Sequence, residues 1–149
     1  MTMKSRLDDD LKQAMRDRDT VRRDVIRYLR SEIRNQEIRV QKDLDDEGVV
    51  QVLSRQAQQR RDSIEAFAEA KRADLVEKEQ AELAIIMGYL PQQMTRDEIA
   101  EMVQQVVAEV GATGPGDMGK VMSQIMPRVR GRAEGREVSS IVMETLRSL

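Results

Sequence analysis

Chemistry in this chain has to be done without two versatile side chains, because it contains no cysteine and no histidine. Thiolate nucleophiles, disulfides and cysteine-based zinc or iron–sulfur sites are excluded. The commonest general base and metal ligand is also missing. Carboxylates, lysines and hydroxyls remain, and that shifts the expectation away from an enzyme. Glu77, Glu79 and Glu82 fall close together with Lys78. With no histidine or metal cluster beside them, they read as solvated charge making local pairs of about 0.2–0.5 kcal/mol each. Positive charge is what the sequence concentrates. The run Asp117 to Arg132, DMGKVMSQIMPRVRGR, carries Lys120, Arg128, Arg130 and Arg132 with no acid between Met118 and Ala133, and Arg136 follows. Guanidinium groups gathered in this way suit phosphate, which accepts their paired N–H donors.

The same run holds a buried face. Met118, Met122, Ile125 and Val129 recur at steps of four, three and four, which places them on one side of a helix with methionine packing behind the charges. Pro127 has no N–H and is expected to weaken that helix and bias Met126 away from helical angles. Gly131 and Gly135 then permit a sharp turn. The preceding GPGDMGKV, Gly114 to Val121, fits the phosphate-cradling pattern G-x-x-x-x-G-K up to its last position. There Val121 stands where a magnesium-binding hydroxyl is required. Asp117 would also set a carboxylate beside the phosphates, and Met102, Val103, Val106 and Val110 step like a helix where the motif needs a strand. Nucleotide binding is rejected on these grounds, and no cofactor or metal is expected.

A second set of cations lies further back. Arg23, Arg27, Arg30 and Arg34 recur at steps of four, three and four, opposite an apolar arc of Val21, Val25, Tyr28, Leu29 and Ile33. They form either a solvated helix face, with their stems covering neighbours, or a basic stripe that meets a phosphate backbone. Arg55, Arg60 and Arg61 make a smaller cluster that reads as surface.

The elements that must position these groups all read as helices, so the fold class is all-α. Helices are predicted over Met3–Arg16, over Thr20–Val40 with Asp19 as cap, and from about Glu47 to Lys71 with Asp45 or Asp46 as cap. A fourth is expected through Leu75–Leu90 with Asp74 as cap. Val49, Leu53, Ala57, Ile64 and Phe67 form the apolar row of the third, with Arg60 at its edge. Pro91 ends the fourth helix, and a boundary between two helical subdomains, 1–90 and 91–149, is placed at Pro91–Met94. Thr95 and Glu98 form a capping box for a helix over Arg96–Val110, which Gly111 stops. After the GATGPG linker, Asp117 caps the sixth helix. A seventh begins near Glu134 and presents Val138, Ile141, Val142, Thr145 and Leu146, completing a smaller three-helix C-terminal subdomain.

Ten methionines against one phenylalanine and no tryptophan predict a core filled by flexible aliphatic chains. The net charge of −2 argues against indiscriminate coating of nucleic acid. The start of the chain lacks the apolar region of a signal peptide, and the longest apolar stretch, Leu83 to Leu90, is far short of a membrane span. The expectation is a soluble, cytoplasmic protein.

These residues carry a family resemblance. DMGKVMSQIMPRVRGRAEG, with Val138 and Ile141-Val142 after it, resembles the signature of YqeY-type proteins. These are free-standing relatives of the tail domain of the B subunit of glutamine-dependent aminoacyl-tRNA amidotransferase. The stretch Asp10 to Met15, RRDVIRYLRSEI at Arg22–Ile33, RRDSIEAF at Arg60–Phe67 and YLPQQM at Tyr89–Met94 agree with it. Glu134 departs from the pattern, which more often has Asp there, and glutamate caps helices less well. The resemblance implies an all-helical protein of two subdomains with a link to tRNA, because the related tail domain contacts tRNA. It does not imply the amide-forming chemistry, which belongs to other domains of the larger enzyme.

The leading expectation is therefore a non-catalytic accessory module for tRNA or other structured RNA. Lys120, Arg128, Arg130, Arg132 and Arg136 form its primary surface, and Arg23, Arg27, Arg30 and Arg34 a weaker second one. With Tyr28, Phe67 and Tyr89 the only aromatics, base stacking is disfavoured and folded RNA is favoured. The alternatives are an adaptor docking on an aminoacyl-tRNA synthetase or amidotransferase, and, last, a carbon–nitrogen ligase using glutamine as amido-nitrogen donor.

Overall fold

A computed structural model describes residues 1–149, and they form seven α-helices and one 3-10 turn with no strand. The all-α expectation holds. The chain divides into two compact units, Met1–Leu90 and Pro91–Leu149, each with a core of its own.

In the first unit the helices are α1 (Met3–Arg16), α2 (Thr20–Val40), α3 (Asp46–Glu69) and α4 (Ala73–Met87). α1 packs along α2, and α3 along α4. Thr2, Asp19 and Asp45 cap the first three by accepting from the N–H groups of Ser5, Arg22 and Gly48. Asp74 does not cap α4: it sits in the first turn and takes two bonds from the Arg72 guanidinium. Leu7, Ile26, Leu29, Leu53 and Ile86 centre the core. The apolar arc of α2 is turned from the one expected. Ile26 is buried, whereas Val21 and Tyr28 are 48% and 42% exposed. The cause is that α2 is covered by α1, α3 and α4, and three neighbours turn a different arc inward than a single flat partner would.

Two polar ties complete this core. Arg60 lies between α3 and α4, with its guanidinium on the carboxylates of Glu79 (3.2 Å) and Glu82 and over the Tyr28 ring. The side chains of Glu79 and Glu82 are only 15% and 14% exposed, so they are not the solvated charges expected. Tyr89, buried just beyond α4, donates its hydroxyl to Asp10. Arg6 stacks over the Tyr89 ring, 4.6 Å from its centre, and donates to the Gly88 carbonyl. Burial and the bond to Asp10 push the Tyr89 phenol well above its ordinary pKa.

The second unit holds α5 (Arg96–Val110), the 3-10 turn (Pro115–Asp117), α6 (Met118–Val129) and α7 (Gly135–Arg147). The Thr95–Glu98 capping box is fully formed, and Gly111 ends α5 at φ 66°. Its core is valine, isoleucine and leucine, among them Ile99, Val103, Val106, Ile125, Val142 and Leu146. The methionines sit at the margins: Met94, Met102, Met118, Met122 and Met126 are only partly buried. A flexible thioether suits an irregular edge, whereas the tight centre of a three-helix bundle favours branched side chains.

Two stability measurements check these ties. Arg60→Ala leaves two carboxylates half-enclosed without their cation, and urea unfolding should show a loss of about 2 kcal/mol. The Tyr89 pKa is raised on folding, so its contribution is complete below about pH 10 and is lost as pH rises further. Tyr89→Phe should flatten this alkaline decline and cost about 1 kcal/mol at neutral pH.

Candidate nucleic-acid interface

α6 gives the C-terminal cations their footing. Val121, Ile125 and Val129, at steps of four, are its fully buried residues. The methionines Met118, Met122 and Met126 flank them. Val121, which fails the magnesium position of the phosphate motif, is thus a core residue, and the element before that loop is helix α5.

Pro127 lies inside α6, which runs on to Val129 instead of weakening before it. The helix tolerates it because Pro127 and Ser123, whose carbonyl would have taken the missing N–H, are both exposed. On an exposed helix face a freed carbonyl can turn to water, as the outward-tilted carbonyls of ordinary curved helices do. Asp117 also departs from expectation. It makes no cap bond to α6, and its carboxylate turns back to accept from the backbone and hydroxyl of Thr113. These bonds, backbone first, hold its carboxyl below the usual range, and the nearby Lys120 charge adds to the effect.

The turn after α6 is braced from the segment before α5. Gly131 adopts φ 79°, a left-handed angle that favours glycine. Its carbonyl accepts from the Gln93 side chain at 2.8 Å. The Arg132 carbonyl accepts from the Met94 N–H at 2.8 Å, and the Arg132 guanidinium donates back to the Gln92 carbonyl at 3.2 Å. Gly135, by contrast, opens α7 and is not part of the turn, and Glu134 precedes it without a side-chain cap bond.

The expected cations therefore meet different fates. Lys120, in the first turn of α6, is exposed and has no ion pair. Arg130, at the end of α6, is exposed and has neither hydrogen bond nor ion pair. Arg128 is bound to Glu109 of α5 through contacts of 2.6 and 3.4 Å. That bond from Arg128 holds the Glu109 carboxyl below its usual range and raises the guanidinium pKa. Arg132 is half-buried in the brace. Its charge also helps hold Glu98 low, after the hydrogen bonds from Thr95. Arg136, in the first turn of α7, is engaged within the chain.

The four arginines of α2 lie in the other unit. Arg23 pairs with Asp24, and Arg30 with Asp8 at 2.9 Å. Arg27 reaches the Met15 sulfur at 4.0 Å, and Arg34 is exposed without an ion pair. Sequence reasoning missed the cleft between α1 and α2 that Arg27, Arg30 and Arg34 line. It also missed the Lys4–Glu37 ion pair across that cleft. Helical periodicity assigns faces within one element, and these contacts join two.

No helix is long and apolar enough to cross a membrane. The family described as Yqey-like protein matches residues 4–146. The chain is similar to proteins named Altered inheritance of mitochondria protein 41, mitochondrial. It is 35% identical to that of Pyrenophora tritici-repentis over 95% of this chain and 79% of the relative. It is 41% identical to that of Lachancea thermotolerans over 71% and 58%, and 39% identical to that of Kluyveromyces lactis over 73% and 60%. The chain thus spans about three fifths of the two yeast relatives. These names overturn the cytoplasmic expectation, which rested on the lack of a signal peptide and of a membrane span. Neither absence distinguishes the cytoplasm from the interior of an organelle.

The brace makes Gly131 the sensitive position. Gly131→Ala forces a Cβ into a left-handed conformation and should destabilise the C-terminal unit by about 1–2 kcal/mol, read as a lower melting temperature by circular dichroism.

Proposed function

Since the chain belongs to the Yqey-like protein family, we propose that its C-terminal unit binds structured RNA of the tRNA class and that the protein acts as a non-catalytic accessory module. The observation that carries this reading is the pair Lys120 and Arg130. Both are exposed cations that make no ion pair, one at each end of α6, with the Asp117 carboxyl feeling the charge of Lys120. Ten residues of helix separate them by roughly 15 Å along the axis, a spacing that phosphates along one backbone can bridge. The brace through Gln93, Met94 and Arg132 fixes the turn that carries Arg130. Fixed donors lose less freedom on binding. The shortage of aromatic side chains supports recognition by shape, phosphate and 2′-hydroxyl over stacking on bases. Arg128 is the reserve in this scheme, an arginine that a phosphate can draw from Glu109.

The test is tRNA binding by fluorescence anisotropy across a salt series. The wild type should lose affinity steeply with salt. Lys120→Glu/Arg130→Glu should bind at least about tenfold more weakly, with a slope shallower by about 0.9 for each phosphate no longer neutralised. Circular dichroism should be unchanged, because both side chains are exposed. A flat salt dependence, or an unaltered affinity in this variant, overturns the reading. Glu109→Gln releases Arg128 and should strengthen binding by about two- to fivefold.

A further inference from the structure

The first unit contains a cleft of about 950 Å³ between α1 and α2. Its walls mix both signs of charge. Lys4, Arg27, Arg30, Arg34 and Lys42 face it together with Asp8, Glu37 and Asp43. Lys4 is taken by Glu37 and Arg30 by Asp8. Arg34 and Lys42 are exposed and make no ion pair, although the Arg34 charge, after the bonds from Lys4 and Leu44, helps hold the Glu37 carboxyl low; Arg27 reaches the Met15 sulfur. Ile38, which is 68% exposed, stands one turn beyond Arg34 near the end of α2, and Lys42 follows the left-handed cap Gln41. Leu7 and Ile33 lie beneath as the floor.

We propose that this cleft docks an amphipathic, acidic helix of a protein partner, whose apolar stripe covers Ile38 and whose carboxylates meet Arg27, Arg34 and Lys42. The charges argue for a protein over a polyphosphate. Two of the five cations are already neutralised by Glu37 and Asp8, which leaves too few for a run of phosphates, and an exposed isoleucine offers a sugar–phosphate backbone nothing. An exposed apolar side chain flanked by charges is what a protein interface covers. A groove between two helices suits a third laid into it with anchors at i, i+3, i+4 and i+7. Arg27 and Arg34 are seven residues apart, so they stand two turns apart on one face and can pair with acids at the same spacing on the incoming helix. The partner is thus chosen by its chemistry, a leucine-type stripe flanked by glutamate or aspartate. This inference does not rest on the RNA reading, which concerns the other unit.

The experiment uses the full chain and a labelled helical peptide of about 20 residues, long enough to span α2, with a leucine stripe flanked by glutamates. A version with lysines in place of the glutamates and a tRNA serve as competitors. Arg34→Glu/Lys42→Glu should weaken the acidic peptide by at least about tenfold, and Ile38→Ser by about three- to tenfold. The lysine peptide should not compete. Arg130→Glu should leave peptide binding unchanged while lowering tRNA binding, so failure of either reading is seen separately. All three substituted side chains of the first unit are exposed, and circular dichroism confirms the fold. Absence of peptide binding up to ~1 mM overturns the proposal. So does binding that is indifferent to Ile38→Ser, and so does full displacement of the peptide by tRNA, which would make the cleft an RNA surface.

Discussion

Tyr28, Phe67 and Tyr89 are the only aromatic side chains in the chain, and only Tyr89 is buried. Each unit therefore closes its core on valine, isoleucine and leucine. Hydrogen-bonded polar groups tie its helices together. Arg60 joins α3 to α4 through Glu79 and Glu82. Tyr89, Asp10 and Arg6 join the end of α4 to α1. Arg132 and Gln93 join the turn after α6 to the segment before α5. A half-buried charge is costly unless paired, so each tie also specifies which helices must meet.

The same constraint divides the arginines by task. Arg60 and Arg132 are committed to the fold. Arg128 is shared with Glu109 at the surface, where an ion pair contributes little to stability and is readily exchanged. Lys120 and Arg130 are exposed and make no ion pair. A cluster that looks uniform in sequence is thus graded, from a cation that holds the backbone to cations that hold nothing. The surface offered to an anion is smaller than the count of basic residues implies, and its position is fixed more firmly.

In the first unit the charges work differently. Lys4–Glu37 and Arg30–Asp8 cross between α1 and α2 and neutralise one another, which leaves a cleft of mixed sign with an apolar residue at its side. The second unit presents cations on a braced turn. The two units thus show distinct surface chemistry. The chain covers about three fifths of its yeast relatives.

The sequence by itself determined the helices, the Thr95–Glu98 capping box and the stop at Gly111, because each depends on residues within one turn of one another. It also determined the exclusion of a phosphate-cradling loop, since Val121 is apolar wherever it lies. It gave no sign that Arg18, Gln41 and Lys71, just past the ends of α1, α2 and α3, adopt positive φ without being glycine. It put Ile26 outside the core and Val21 inside it. It left Arg60, Glu79 and Glu82 as surface charge. Only the tertiary structure decided these, because a helix repeats its own pattern regardless of how many neighbours cover it. Whether a given arginine braces, pairs or stays open depends on which carboxylate or carbonyl another helix brings within about 3 Å, and periodicity along one helix carries no information about that approach.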